Sequence, residues 1–285
     1  MRGARGFRVA FDYSMVLCGP PLMPTVTPVT PSRHAAMRWR RYDSYSFAAD
    51  RAVVPLVAAE LARAAPAFPV AFIQTGKGKG YMPAVVLGLE PNHNLFVAPD
   101  GRWLAGYVPA ALRSRPFSLR RAADGRHVLC VDEASGLVTD GPQGERFYED
   151  DATLSATLRQ VADFLAKVEQ NRAATAAVCA ALTAHHLIVR WPVARKTDQG
   201  ERKLEGLFRV NESALNALDD EAFLSLRKSG AVPIAYAQLL SMQQLRLLGE
   251  LAAARAPRPQ PVQLGQDLDP SWLEGDVLKL GPGPR

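Results

Sequence analysis

The sequence predicts an α+β fold, with an antiparallel, strand-rich N-terminal half covered by C-terminal helices. Three observations predict it. Apolar runs of strand length, punctuated by glycine- and proline-containing turns, fill residues 68–148. The connections between these runs are short, which makes the strands hairpin partners and therefore antiparallel. From Asp151 the apolar spacing lengthens to a helical period.

Taken in order, "VVPLVAAELARAA" (53–65) predicts a helix with Pro55 near its first turn. "FPVAFIQTGKGKGYMPAVVLGL" (68–89) predicts two apolar strands joined by a glycine-lysine tip. "NLFVAPDGRWLAGYV" (94–108) predicts a second such pair around the turn Pro99-Asp100-Gly101. "HVLCV" predicts one more buried strand. Leu154, Leu158, Val161, Phe164, Leu165 and Val168 mark a helix with an acidic start, and a second helix is expected from about Ala173 to Leu187. "LFRV" (207–210) reads as extended, with Asn211 as the cap of the helix that follows it. "DDEAFLSLRKSGAV" reads as a helix stopped by Gly230. "PIAYAQLLSMQQLRLLGELAAARA" is then the last and longest helix.

These periodic elements define one domain over residues 23–256. Residues 1–22 carry no matching periodicity and read as an unstructured leader, or as a start assigned upstream of Met23. Residues 257–285 form a proline- and glycine-rich tail. Its small apolar island, Trp272, Leu273, Val277 and Leu278, is suited to docking on this chain, on a second copy or on a partner.

With 285 residues and an apolar fraction of 48%, the chain can bury a sizeable core. No run approaches the roughly 18 apolar residues of a membrane helix. Cys18, Cys130 and Cys179 fit neither a zinc pattern nor a disulfide framework, and a reducing, cytoplasmic setting suits them. The net charge of +6 is partly local, since seven arginines face three aspartates in the first fifty residues. No nucleic-acid-binding motif accompanies that run, so solvated surface charge is the favoured reading over nucleic acid.

"TGKGKGYM" lacks the spacing of a phosphate loop and has no helix behind it. The five histidines form no metal-ligand pattern, and no serine-elbow motif is present. Neither a cofactor nor a metal is implied, and no catalytic residue is readable. The richest stretch is 94–119. Strand alternation there sets Leu95 and Val97 on one face and Asn94 and Phe96 on the other, and gathers Trp103, Ala105 and Tyr107 on a shared face. Arg113 and Arg115 follow, and "VLCVDE" ends in Asp132 and Glu133, read as carboxylates exposed at a strand end. Asn94, Trp103, Tyr107, Arg113, Arg115, Asp132 and Glu133 therefore make the candidate binding set for a carboxylate or an extended peptide. The same residues admit a packing role, with Trp103 and Phe117 in the core and the arginines paired to Asp132 or Glu133.

Several segments occur together and in order: "RHAAMRW", "VPLVAAELARAAPAFPVAFIQ", "NLFVAPDGRWLAGYVPAALRSRPFSL", "VLCVDE" and "LFRVNESALNALDDEAFLSLRKSGAVPIAYAQLLSMQQL". As a set, over about residues 27–250, they resemble the SapC family, bacterial proteins named after a surface-array locus. The resemblance implies a link to the bacterial cell surface, and neighbours such as halogenase-like proteins, cupin-type oxygenases and outer-membrane receptors. It brings no established reaction. The favoured expectation is a non-catalytic binding or accessory protein of a cell-surface or nutrient-uptake system, acting on a protein or peptide partner. The alternative is an enzyme that modifies a peptide or small molecule beside oxygenase or halogenase partners.

Overall fold

In chain order the N-terminal half holds Thr27–Pro28 (β1), Pro31–His34 (α1), Arg38–Trp39 (β2), Val53–Pro55 (β3), Leu61–Ala64 (α2), Val70–Thr75 (β4) and Gly80–Val86 (β5). Ala110–Arg113 (α3), Phe117–Arg121 (β6), His127–Val131 (β7), Val138–Thr139 (β8) and Glu145–Arg146 (β9) follow. The C-terminal half holds Ala156–Ala184 (α4), Ile188–Arg190 (β10), Val193–Thr197 (β11), Gly200–Leu204 (β12) and Phe208–Val210 (β13). Glu212–Asn216 (α5), Asp220–Ser229 (α6), Ala231–Ser241 (α7) and Leu245–Arg255 (α8) complete it. The structure is a computed structural model that describes residues 26–76, 80–150, 152–197 and 200–255. The leader with Cys18, the Lys77–Lys79 tip and the tail with its apolar island lie outside the described residues.

The architecture is α+β, as the sequence predicts. The expected β4–β5 hairpin is the centre of a five-stranded antiparallel sheet in the order β10-β13-β4-β5-β3. One core gathers β3, β4 and β5 with Phe68, Leu95, Phe96 and Leu112. A second surrounds Phe72, Phe208 and Val210, covered by Val178, Cys179 and Leu182 of α4 and by Leu226, Ala231 and Ala235 of the last helices. A third lies between two small sheets, β1-β7-β6 and β8-β2-β9, where Trp39, Phe117, Phe147, Leu158 and Leu165 meet. Burying each of these large side chains contributes roughly 1.5–3 kcal/mol.

Four sequence expectations are corrected. Pro55 ends a strand rather than starting a helix. β3 is an edge strand, so the missing proline N–H breaks no ladder on its outer side. The two helices expected over 151–187 are one helix, α4, because neither glycine nor proline interrupts it. Its 29 residues span about 43 Å, long enough to pack on both the second and third cores. The final helix is instead two, α7 and α8, parted by a 3-10 turn at Met242–Gln244, and α4 is longer than either. Residues 94–108 do form a turn, with Gly101 at φ 83°, but only Val97 and Trp103 pair as strand residues. Asn94, Leu95, Phe96 and Val97 are all buried, so the expected two faces are not distinguished. The segment is held along its length, by Asn94 N–H to Ala49 O, Leu95 N–H to Leu87 O, and the Arg255 guanidinium to the carbonyls of Asn94 and Val97.

Two expected helix ends hold, whereas the acidic start expected for the 154–168 helix does not, because α4 begins at Ala156 with no acid in its first turn. Asn211 accepts from Ala214 N–H at 3.2 Å, and Gly230 closes α6 in the left-handed region at φ 75°. Ser155 starts α4 by accepting from Leu158 N–H, and its hydroxyl donates to Arg146 O at 2.7 Å.

Candidate functional site

From Arg102 to Tyr107 the expected alternation holds. Arg102, Leu104 and Gly106 face solvent while Trp103, Ala105 and Tyr107 are half-buried. Trp103 packs beside Tyr45, Phe68 and Phe96, with ring centroids 5.3, 6.1 and 6.2 Å away. Its indole Nε1–H donates to Tyr107 O at 2.7 Å, which fixes the backbone that carries Tyr107.

Glu60 organises the next turn. Its buried carboxylate accepts from Val57 N–H through Oε2 at 3.0 Å. Through Oε1 it accepts from the Tyr107 hydroxyl at 2.7 Å and from Ala110 N–H at 2.6 Å, at the start of α3. Burial, followed by the bond to Glu60, pushes the Tyr107 phenol up to about 12, so it stays a donor toward the carboxylate. Sequence reasoning missed Glu60. An acid three residues after Val57, where a helical turn begins, was the available signal.

Arg113 lies exposed at the end of α3. Its Nη2 donates to the Tyr107 hydroxyl at 3.3 Å, and its guanidinium lies 5.6 Å from the Tyr107 ring and 5.0 Å from the Phe164 ring. Among the described residues no carboxylate forms an ion pair with it. Tyr107 also lines an open groove of about 670 Å³ between α2, residues 104–107 and α8, walled by Pro66, Phe96, Leu104, Leu247 and Leu251 with Arg63 beside them. Leu104 is 44% exposed there.

The other candidates separate from this group. Arg115 packs its guanidinium 4.8 Å from the Phe47 ring and sets Nη1 3.8 Å from Asp132 Oδ2, with only 16% of its side chain exposed. Asp132 is buried, not exposed at a strand end, and its Oδ1 has no hydrogen-bond partner. Glu133 takes a two-pronged bond from Arg33, at 2.6 and 2.7 Å, and another from the buried His34 Nε2 at 3.1 Å. His34 Nδ1 lies 3.2 Å from Thr30 N and 3.3 Å from Thr30 O, which fixes the ring against α1. The Arg33 guanidinium holds the Glu133 carboxyl below the usual glutamate range. Asn94 is buried, donating to Ala48 O and accepting from Phe96 N–H, and so ties the loop together from inside. Of the seven predicted residues, Trp103, Tyr107 and Arg113 are thus brought together, Arg115 meets Asp132, and Asn94 and Glu133 stand apart.

Among the described residues no group of three or more His, Cys, Asp or Glu side chains is placed to hold a metal ion. Cys130 and Cys179 are buried, and burial pushes the Cys179 thiol up to about 12. No described helix is long and apolar enough to cross a membrane.

The family model of SapC matches residues 29–248, which include Glu60, the whole 94–119 stretch and Phe164. The chain belongs to the SapC family. The resemblance read from the segment order is therefore correct, and its limits agree to within two residues at either end. No curated protein and no solved structure matches this SapC chain.

Proposed function

We propose that this SapC-family chain is a non-catalytic binding or accessory protein of a bacterial cell-surface or nutrient-uptake system. In this reading the groove takes an apolar segment of a protein or peptide partner, and Arg113 takes a carboxylate on it. The observation that carries the reading is Arg113 itself. Its charge is steadied by two rings and a phenol rather than neutralised by a carboxylate, and Tyr107 joins it to the apolar groove. A guanidinium oriented in this way offers a fork to a carboxylate with little further ordering. The two buried free thiols fit a reducing compartment, so the proposal includes a cytoplasmic location. Halogenase-like, cupin-type and receptor neighbours are the first baits to use.

Anisotropy of a fluorescein-labelled peptide of alternating leucine and glutamate tests the face. The native chain should bind it, and Arg113→Ala should weaken binding by about tenfold, the loss of one charge-assisted bond. Arg113→Lys should fall between, because an ammonium cannot reproduce the fork. Equal binding by all three proteins would remove Arg113 from the site. Affinity capture from the native cell, with Arg113→Ala as the control, then identifies the partner.

A further inference from the structure

We infer that the groove beside Tyr107 is filled, in the resting chain, by the apolar island of the chain's own tail. Trp272, Leu273, Val277 and Leu278 occupy it, and a partner segment must displace them. The inference rests on the reading of that groove as the partner-binding face, and adds its regulation.

The tail departs at the groove's edge. Leu247 and Leu251 of α8 form one wall, and α8 ends at Arg255, about 6 Å of helix beyond Leu251. The Arg255 guanidinium holds the carbonyls of Asn94 and Val97, at 2.9 and 2.6 Å, on either side of the wall residue Phe96. Trp272 lies 17 residues farther along, a length that spans at most about 56–61 Å. That is ample to turn back onto a groove so near the point of departure. A short tether presents its segment at about millimolar effective concentration. A second copy matches this only at millimolar protein, which favours docking within one chain.

The chemistry matches as well. Residues 267–280 set the island among Asp267, Asp269, Glu274 and Asp276, with Lys279 as the one base. This is the apolar and acidic kind of ligand that the Arg113 face is read as taking. The groove carries the opposite sign. Arg63 on it is exposed, and among the described residues no carboxylate pairs with it. Glu60, bonded to the Tyr107 hydroxyl, offsets Arg113, and Glu250 is engaged by Arg246 at 2.9 Å, yet Arg63 remains. The exposed Leu104 adds apolar surface. The 670 Å³ volume holds roughly 22 water-sized units at ~30 Å³ each, enough for an indole and two or three aliphatic side chains.

Hydrogen exchange of the full-length chain, compared with a synthetic peptide of residues 262–285, tests the docking. Amides of residues 272–278 should exchange about tenfold more slowly in the chain, and hundredfold dilution should leave that ratio unchanged. Leu104→Glu puts a like charge before the tail's acids and should restore the peptide's rate. Arg63→Glu should lower protection at least threefold, and decides should Leu104→Glu fail to fold. The full-length double variant Trp272→Ala, Leu273→Ala should bind the labelled leucine-glutamate peptide about tenfold tighter than the native chain. A groove left open a tenth of the time lowers apparent affinity by that factor. Peptide-like exchange in the native chain overturns the inference. So does protection lost on dilution, protection that both groove variants leave unchanged, or equal peptide binding by the native and double-variant chains. Groove-dependent protection with no labelled peptide bound by any variant supports the docking and removes the partner reading instead.

Discussion

Arg113 and Arg115 are two residues apart and do opposite work. The Arg113 head is exposed against rings, whereas that of Arg115 is mostly covered and lies beside the buried Asp132 carboxylate. Arg113→Ala should therefore cost under about 0.5 kcal/mol of stability. Arg115→Ala leaves Asp132 facing a protein interior, and should cost about 2–3 kcal/mol, below the range for a close buried pair because the separation is long. Trp103→Ala should cost about 3 kcal/mol, the lower end for a tryptophan, since the ring is only half-buried. Urea unfolding of the three variants checks the order, and an Arg113→Ala loss equal to that of Arg115→Ala would make both arginines structural ties. Glu60→Gln belongs to the same scale. A carboxamide has one acceptor oxygen for the three donors that Glu60 now serves, and its N–H groups would face Val57 N–H or Ala110 N–H. A loss of about 2 kcal/mol is expected, with a change in near-ultraviolet tyrosine and tryptophan signals as residues 103–110 loosen.

Among the elements, α1 is fastened to the strand end after β7 mainly through charge. Glu133 has a lowered folded-state pKa, so the stability it contributes is present above the ordinary glutamate value of about 4.3. That stability is lost as pH falls through the lower folded value. Glu133→Gln should therefore flatten the fall of the urea midpoint between about pH 5 and 3 relative to the native chain. Equal slopes would exclude Glu133 from acid unfolding. At the start of α4, Ser155→Ala should cost about 1 kcal/mol, seen in the same denaturation experiment. Much of this level was legible in the sequence. The β4–β5 hairpin, the Asn211 cap and the Gly230 stop rest on neighbours in the chain, and so does the alternation that gathers Trp103 and Tyr107. What escaped depends on distant partners. Pro55 is a strand residue only because β3 lies at a sheet edge, and Glu60 becomes an organiser only when Tyr107 arrives from 47 residues away. The pairing of Arg115 with Asp132 was one of the two sequence readings, but the burial of Asp132 beneath the start of β6 carried no local sign.

At the scale of the molecule, the central sheet is continuous through a side chain. β13 meets β4 at the single pair Phe208–Phe72, and beyond it the buried Gln238 of α7 spans the two strands. Its amide accepts from Val210 N–H at 2.9 Å and donates to Val70 O at 3.0 Å, while Ser241 accepts from Val70 N–H at 3.0 Å. Gln238→Leu leaves two backbone groups buried and unpaired, and should cost about 2–4 kcal/mol. Hydrogen exchange at the Val210 amide should accelerate more than at β5 amides. If it does not, Gln238 is not the link.

The same link has a cost during synthesis. Gln238 is translated 168 residues after Val70. At roughly 5–20 residues per second, that interval is on the order of 8 to 34 s. Through most of it, the β4–β5 hairpin can form while the far side of β4 has neither its strand nor its glutamine, and once β13 (Phe208–Val210) has been made the glutamine is still missing. An apolar strand with unpaired N–H and C=O groups is a template for another chain. Nascent chains on one polysome would offer that template to one another, and a chain ended before Gln238 would never withdraw it. Fragments stopping near residue 230 should therefore collect in the insoluble fraction, while the full-length chain stays in solution.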